Sequence, residues 1–274
     1  MPAFFLLSGM LFRNDRWKER GWKSFLLRRV ETLMVPYAFF EVLAILYRHF
    51  ILRSVTIPEG LWNMISFRCN VGADRFLPAM FLAQIFFFFC VKYLNKTISG
   101  ILAAAALFCT WYLPTEGLWR VLCRGMLGFG FIVIGNILKM VFSAKHQKRW
   151  DIALSAGAFA LTAVCAGIGF LHYTGSFYFC RVDNPFLYTL NGMSGLYFVL
   201  GISRMIRFRW LQWLGENSLT IMGTHQLVLY TIPGNASPLW VLGMFALIIA
   251  IEIPVILCCN RFCPFLVGKA KNEQ

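Results

Sequence analysis

The 274-residue sequence predicts an all-α fold, a polytopic transmembrane helical bundle of eight full spans plus an N-terminal partial span. Three observations carry that expectation. Hydrophobic residues make up 59% of the chain and charged residues 14%, with a mean hydropathy of +0.65, whereas soluble domains sit near a quarter charged. The apolar runs are long and continuous, not the short alternating segments that a β-barrel needs. The basic residues fall in short clusters between those runs, as they do where charge sets membrane orientation.

The first element is MPAFFLLSGMLF, twelve apolar residues followed at once by RNDRWKERGWK. Twelve residues make about 18 Å of helix, against a hydrocarbon core of roughly 30 Å. This stretch lacks the basic start and small-residue cleavage site of a secretory signal peptide. It reads as half a membrane helix. Full spans are then expected near 31–53, 76–95, 98–113, 118–142, 151–173, 185–205, 211–232 and 238–259. The short 98–113 segment reads as re-entrant or tilted. No internal repeat, low-complexity stretch or soluble segment interrupts the series, so residues 1–274 read as a single membrane domain.

Alternating the spans places loops 13–29, 92–97, 139–150, 204–210 and 261–274 on one side. Together they hold 19 of the 26 Lys and Arg, including all nine Lys. Basic residues in short loops stay in the cytoplasm, so that side and the C-terminus are expected to be cytoplasmic. Loops 54–75, 114–118, 174–184 and 233–237 then face outward. The same distribution argues against nucleic acid as a partner despite the net charge of +14, because no single basic patch or tail exists. Nine Cys show no CxxC or Cys/His spacing, so no metal site or redox pair is expected.

Three stretches carry a family resemblance. In MPAFFLLSGMLF, a Met-Pro is followed by Phe4, Phe5, Ser8 and Gly9; RRVETLMVPY, at 28–37, ends in Pro36-Tyr37; and LGENSLTIMGTHQLVL, at 214–229, holds Gly215, Asn217, Ser218, Leu219 and His225. In this order and spacing they resemble the acyltransferase 3 family of bacterial integral-membrane sugar O-acetyltransferases. ADRFLPAMF at 73–81 is a looser fourth match, with Arg75 where the family often has Trp. The resemblance covers the chain except for the family's first helix. It implies transfer of an acetyl group from cytoplasmic acetyl-CoA to a hydroxyl of envelope carbohydrate, at the bacterial cytoplasmic (inner) membrane. It also implies a catalytic His in that first helix or just before Met-Pro, which this chain does not contain. Of the family's two Arg three apart, Arg29 matches the first and Thr32 stands at the second. Met1 is therefore expected to be an internal Met of the family signature, with one more span encoded upstream. On that expectation the chain alone is poorly folded at its N-terminus and inactive.

Acyl transfer to a hydroxyl needs a base, stabilisation of a developing oxyanion and a cationic grip on the coenzyme phosphates. Loop 13–29 carries Arg13, Arg16, Lys18, Arg20, Lys23, Arg28 and Arg29 interleaved with Trp17 and Trp22. Arg28 and Arg29 are the candidate phosphate ligands; the plainer reading is a loop lying on anionic lipid. His225 is the candidate catalytic residue present in the chain, sharing a helix face with Ser218. Its alternative is a neutral imidazole hydrogen-bonded between helices. Arg124 must snorkel, pair with an acid such as Glu116, Asp183 or Asp74, or line a watered cavity with Arg75. By resemblance, Ser8, Asn217 and Ser218 join the substrate- and coenzyme-binding set. Glu41 and Glu252 lie at membrane depth, with Glu41 expected to pair with an Arg or lie near the interface. GMLGFG, at 125–130, reads as a helix-packing stretch.

The leading function is thus an integral-membrane O-acyltransferase whose donor is acetyl-CoA, with no metal. A transporter or flippase is the competing class, against which stands the lack of paired broken helices and repeat symmetry. A non-catalytic membrane module is the third.

Overall fold

The computed structural model describes residues 2–12, 21–109, 119–139, 148–172, 185–206, 208–232 and 237–268. Among them the elements are helices: α1 Pro2–Leu11, α2 Trp22–Phe50, α3 Ile57–Ile65, α4 Phe76–Tyr93, α5 Lys96–Cys109, α6 Trp119–Ile137, α7 Lys148–His172, α8 Pro185–Met205, α9 Arg209–Glu216, α10 Ser218–Thr231 and α11 Pro238–Phe262. Five of these, α2, α4, α6, α8 and α11, are long and apolar enough to cross a membrane. The protein is a multi-pass helical membrane protein. Among the described residues the count of eight full spans is not confirmed, for reasons visible in particular segments. The 98–113 span is a 14-residue helix over its described part, about 21 Å long. The 151–173 span lies within α7, whose apolar stretch Ile152–Gly167 is among the shorter ones.

The 211–232 span is broken in two. Asn217 sits between α9 and α10 at φ −106° and ψ 12°, outside helical geometry. Its side-chain amide donates to the Trp213 carbonyl at 2.7 Å, the local competition with the helix ladder that makes Asn a poor interior residue. The eight residues of α9 before the break are amphipathic, with none buried.

The chain forms two compact units. The first comprises Met1–Phe25 and Ala79–Phe208. Its organising contact is between α1 and α6, whose backbones touch. A Cβ on Gly9 would strike the Ile132 carbonyl oxygen, and one on Gly135 would strike that of Leu6. Small residues at such a crossing let dispersion and polar contacts act at short range in lipid. Asn136 Nδ2 donates to the Gly9 carbonyl at 3.0 Å, and Phe5 and Leu6 are fully buried. The expectation of a poorly folded N-terminus is therefore corrected: α1 has a packed seat, supplied by the glycines of α6. Gly128, within the GMLGFG stretch, takes the Phe5 ring. Aromatic residues close one end of the unit, with Phe25 stacked on Phe88 at 4.4 Å and Phe12 edge-on to Phe87 at 4.9 Å between centroids. On the other side α7 meets α8 through Thr162 Oγ1 and Ser194 Oγ at 2.8 Å.

The second unit comprises Leu26–Pro78 and Arg209–Gln274. Its long helix α2 contains a π-helical turn at Val30–Met34, where the Val35 amide donates to the Val30 carbonyl. Pro36 explains the widening. It cannot donate to the Thr32 carbonyl, and its ring would clash with that group in a regular turn. A Cβ on Gly268, which sits at φ +77°, would come within 3.2 Å of the same Thr32 carbonyl oxygen. Helix α10 seats on α2 by placing Gly223 against the Phe40 ring. It is bound to α11 by Thr224 Oγ1, which donates to Glu252 Oε2 at 2.7 Å, and by Asn260 Nδ2, which donates to Asn217 Oδ1 at 2.8 Å.

Candidate functional site

A buried polar cluster in the second unit is built by the segment between α3 and α4. Phe67 and Cys69 take left-handed φ values of 53° and 57°, which costs roughly 1–2 kcal/mol per non-glycine residue. The turn is fastened by the Arg68 and Cys69 amides, both donating to the Asn63 carbonyl. It delivers Asn70 onto Glu41, nine residues before the end of α2, or about 13 Å along the helix axis.

Glu41 is fully buried. Its Oε2 accepts from Asn70 Nδ2 at 2.7 Å and from the Asn70 backbone amide at 2.8 Å, while Oε1 takes the same amide at 3.1 Å. The Asn70 carbonyl accepts from Arg48 Nη1 at 2.9 Å, and its Nδ2 also reaches the Gly60 carbonyl at 3.0 Å. Buried networks satisfied at every member hold one conformation, because the low dielectric makes each missing bond costly. Of the two expectations for Glu41, the Arg pairing is corrected: the groups that bind its carboxylate directly are the amides of Asn70 and the backbone amide of Val71. The charge of Arg75 acts on it from further off.

The same segment is held from the other side by α10. Gln226 Oε1 accepts from the Ala73 amide at 3.0 Å, and Val71 and Ala73 pack with Ala44 and Leu227 in one apolar cluster. Asp74 follows directly. It is fully buried, and neither carboxylate oxygen has a hydrogen bond among the described residues. Burial first, and the Glu41 charge second, push its carboxyl up to about 9. Cys69, with its Sγ 3.6 Å from the Tyr37 hydroxyl, is pushed up to about 12, chiefly by burial. A thiol held so high is not a nucleophile at neutral pH.

His225 stands midway along α10, beside Gln226. Its Nδ1 lies 2.6 Å from the Ile221 carbonyl one turn back. A carbonyl only accepts, so Nδ1 carries a proton, and in the neutral form of the ring Nε2 holds the lone pair. The bond lies within α10, not between helices. The ring is oriented by this bond and is partly buried.

The remaining candidates are distributed. Arg28 and Arg29 close the first part of α2, with the Thr32 hydroxyl donating to the Arg28 carbonyl at 2.8 Å. Arg75 Nε donates to the Arg68 carbonyl at 2.9 Å and so closes the strained turn. Asn217 is buried at the α9–α10 break, and Ser218 begins α10. These belong to the second unit with His225. Ser8 and Arg124 belong to the first: Ser8 Oγ accepts from Gln84 Nε2 at 2.9 Å. Arg124, only 2% exposed, is buried and does not snorkel. Its proposed partners Glu116 and Asp183 lie outside the described residues, as do Arg13, Trp17 and the rest of 13–20. Asn70 and Gln226, which position the cluster, escape sequence reasoning. The partner of Gln226 lies 153 residues away, a pairing that no local pattern signals.

Compared with known proteins, residues 1–259 match the family model described as an acyltransferase domain. No curated protein and no solved structure matches the chain.

Proposed function

The chain belongs to the acyltransferase 3 family, and on that premise we propose that it is an integral-membrane O-acyltransferase moving an acetyl group from cytoplasmic acetyl-CoA to a hydroxyl of an extracytoplasmic carbohydrate. The family match over residues 1–259 carries this reading. The helices long enough to span a bilayer support it, as does the side bias of Lys and Arg, which orients the coenzyme side and the C-terminus toward the cytoplasm of a bacterial inner membrane.

The chemistry follows from the residues. Arg28 and Arg29 grip the coenzyme phosphates from the basic end of α2. The acceptor hydroxyl oxygen bonds to the thioester carbonyl carbon and the carbon–sulfur bond breaks. His225 Nε2 takes the hydroxyl proton and returns it to the departing thiolate of CoA. Its position, halfway along a 14-residue helix, suits a group that must meet a donor from one face and an acceptor from the other. The Ile221 bond fixes its tautomer, and Gln226 beside it anchors the segment carrying Asp74 and Arg75. Asn217 and Ser218 lie at the start of that helix, and Ser8 and Arg124 are assigned to substrate contacts of the first unit.

The test is acetyl transfer from acetyl-CoA by the 274-residue chain in proteoliposomes, with and without His225. No transfer with or without His225 would count against this reading and favour a non-catalytic membrane module instead.

A further inference from the structure

An open groove of about 480 Å³ lies where α2 hands over to α3, lined by His49, Phe50, Arg53, Ser54, Thr56 and Glu59. We infer that this groove is a carbohydrate-binding subsite that holds a neutral pyranose unit of the acceptor. The choice of ligand rests on the transferase reading above; the groove itself does not.

Charge is the first argument. Arg53 and Glu59 are exposed and line one groove, yet neither side chain makes a hydrogen bond or ion pair among the described residues. A phosphate would gain from Arg53 but be repelled by Glu59. A sugar ring presents donors and acceptors together, and it can use both charges in charge-assisted hydrogen bonds. The His49 ring adds an acceptor. Its Nδ1 lies 3.1 Å from the Val55 carbonyl and so carries the proton, leaving Nε2 with the lone pair.

Preorganisation is the second. The linker between the helices is pinned by the Ser54 amide to the Arg48 carbonyl at 3.0 Å and by Arg48 Nε to Ser54 Oγ at 3.3 Å. Arg53 is held at φ 50°, a left-handed conformation that a non-glycine residue keeps only when its surroundings enforce it. The Thr56 side chain caps α3 by accepting from the Glu59 amide, which fixes the backbone that carries Glu59. The network that holds this linker continues through Arg48 to Asn70 and Glu41.

Shape is the third. Phe50 is 65% exposed, with the His49 ring edge-on at 4.8 Å between centroids, giving an apolar face against which the C–H face of a sugar can lie. The volume falls within the roughly 300–1,000 Å³ usual for small-molecule sites. The charge bias puts this linker on the outer face, where the acceptor is expected.

Saturation-transfer NMR of N-acetylglucosamine, galactose and maltose with the full chain in lipid nanodiscs tests the assignment. At least one sugar is expected to bind at millimolar concentration, and Arg53→Gln and Glu59→Gln are each expected to weaken it at least tenfold. If either variant unfolds, alkylation of Ser54→Cys, which lines the groove and leaves Arg53 and Glu59 in place, with protection by the same sugars, decides the same question. The inference is overturned if no sugar contacts the protein, if either folded variant binds as the parent does, or if inorganic phosphate occupies the groove through Arg53 and no sugar displaces it. Binding of acetyl-CoA, measured by the same method on the same samples without sugar, keeps the two proposals apart. Sugar binding that depends on the groove without acetyl-CoA binding upholds the groove and sinks the transferase reading. Acetyl-CoA binding with sugar binding indifferent to Arg53 and Glu59 does the reverse.

Discussion

Asn70 gives one backbone and one side-chain N–H to a single carboxylate oxygen of Glu41, at 2.8 and 2.7 Å. This is how a polar segment is held alongside a membrane helix without leaving its backbone unsatisfied. Removing the carboxylate strands two buried donors at once. Glu41→Ala is expected to destabilise the protein by about 2–5 kcal/mol, and Glu41→Gln, which keeps one acceptor oxygen, by clearly less. Thermal unfolding of the purified variants in detergent measures both. Equal stability of Glu41→Ala and the parent would contradict the role given to this pair.

Asp74 sets a pH dependence with a definite sign. Its folded carboxyl is raised to about 9, above the ordinary carboxylate value. The folded state therefore holds a proton that the unfolded chain has lost, and stability falls as pH rises from about 4 to about 9. Asp74→Asn is expected to flatten that slope and to stabilise the protein more at pH 8 than at pH 4. Unfolding midpoints of parent and variant across this range decide it. Parallel curves would show that Asp74 is not the buried acid described here.

The contact of α1 with α6 is a backbone contact. Gly9→Ala and Gly135→Ala each drive a methyl into a carbonyl on the opposite helix, at a cost of about 1–3 kcal/mol. Proteolysis at the N-terminal segment is expected to accelerate in both, with Gly157→Ala, where a Cβ meets nothing within 4 Å, as the neutral control. Unchanged proteolysis would mean that α1 is not seated by these glycines.

How far this architecture is legible in the sequence depends on the range of the interaction. The five long spans and the GMLGFG packing stretch follow from hydropathy and residue size, which are local. The break at Asn217 is hidden because hydropathy runs on through it, while the cause is one side-chain amide turning back to Trp213. The buried network at Glu41 and Asn70 is hidden for another reason. A carboxylate at membrane depth needs a partner, and Arg is the obvious candidate; that a turn at Phe67 and Cys69 brings an Asn instead depends on backbone geometry that composition does not encode. His225 stands out in the sequence as an ionisable residue in a span. Its tautomer follows only from the contact with the Ile221 carbonyl.

The coenzyme grip has a kinetic signature. Replacing Arg28 and Arg29 with Gln is expected to raise the KM for acetyl-CoA, with about 1.5–3 kcal/mol lost for each charge-assisted bond. Steady-state kinetics with varied acetyl-CoA check this. An unchanged KM would leave this end of α2 as a lipid anchor.

The most direct measurement is acetyl transfer by the chain in proteoliposomes loaded with acetyl-CoA, compared with His225→Gln. Gln keeps an N–H for the Ile221 carbonyl but cannot accept a proton at neutral pH, so it separates positioning from base catalysis. Whereas the resemblance alone implies an inactive chain, with His225 as the base the expected result is transfer to external sugar by the parent, with kcat lowered roughly 10²–10⁴-fold in the variant and KM for acetyl-CoA unchanged. Full activity in His225→Gln, or no transfer by the parent, would contradict the account.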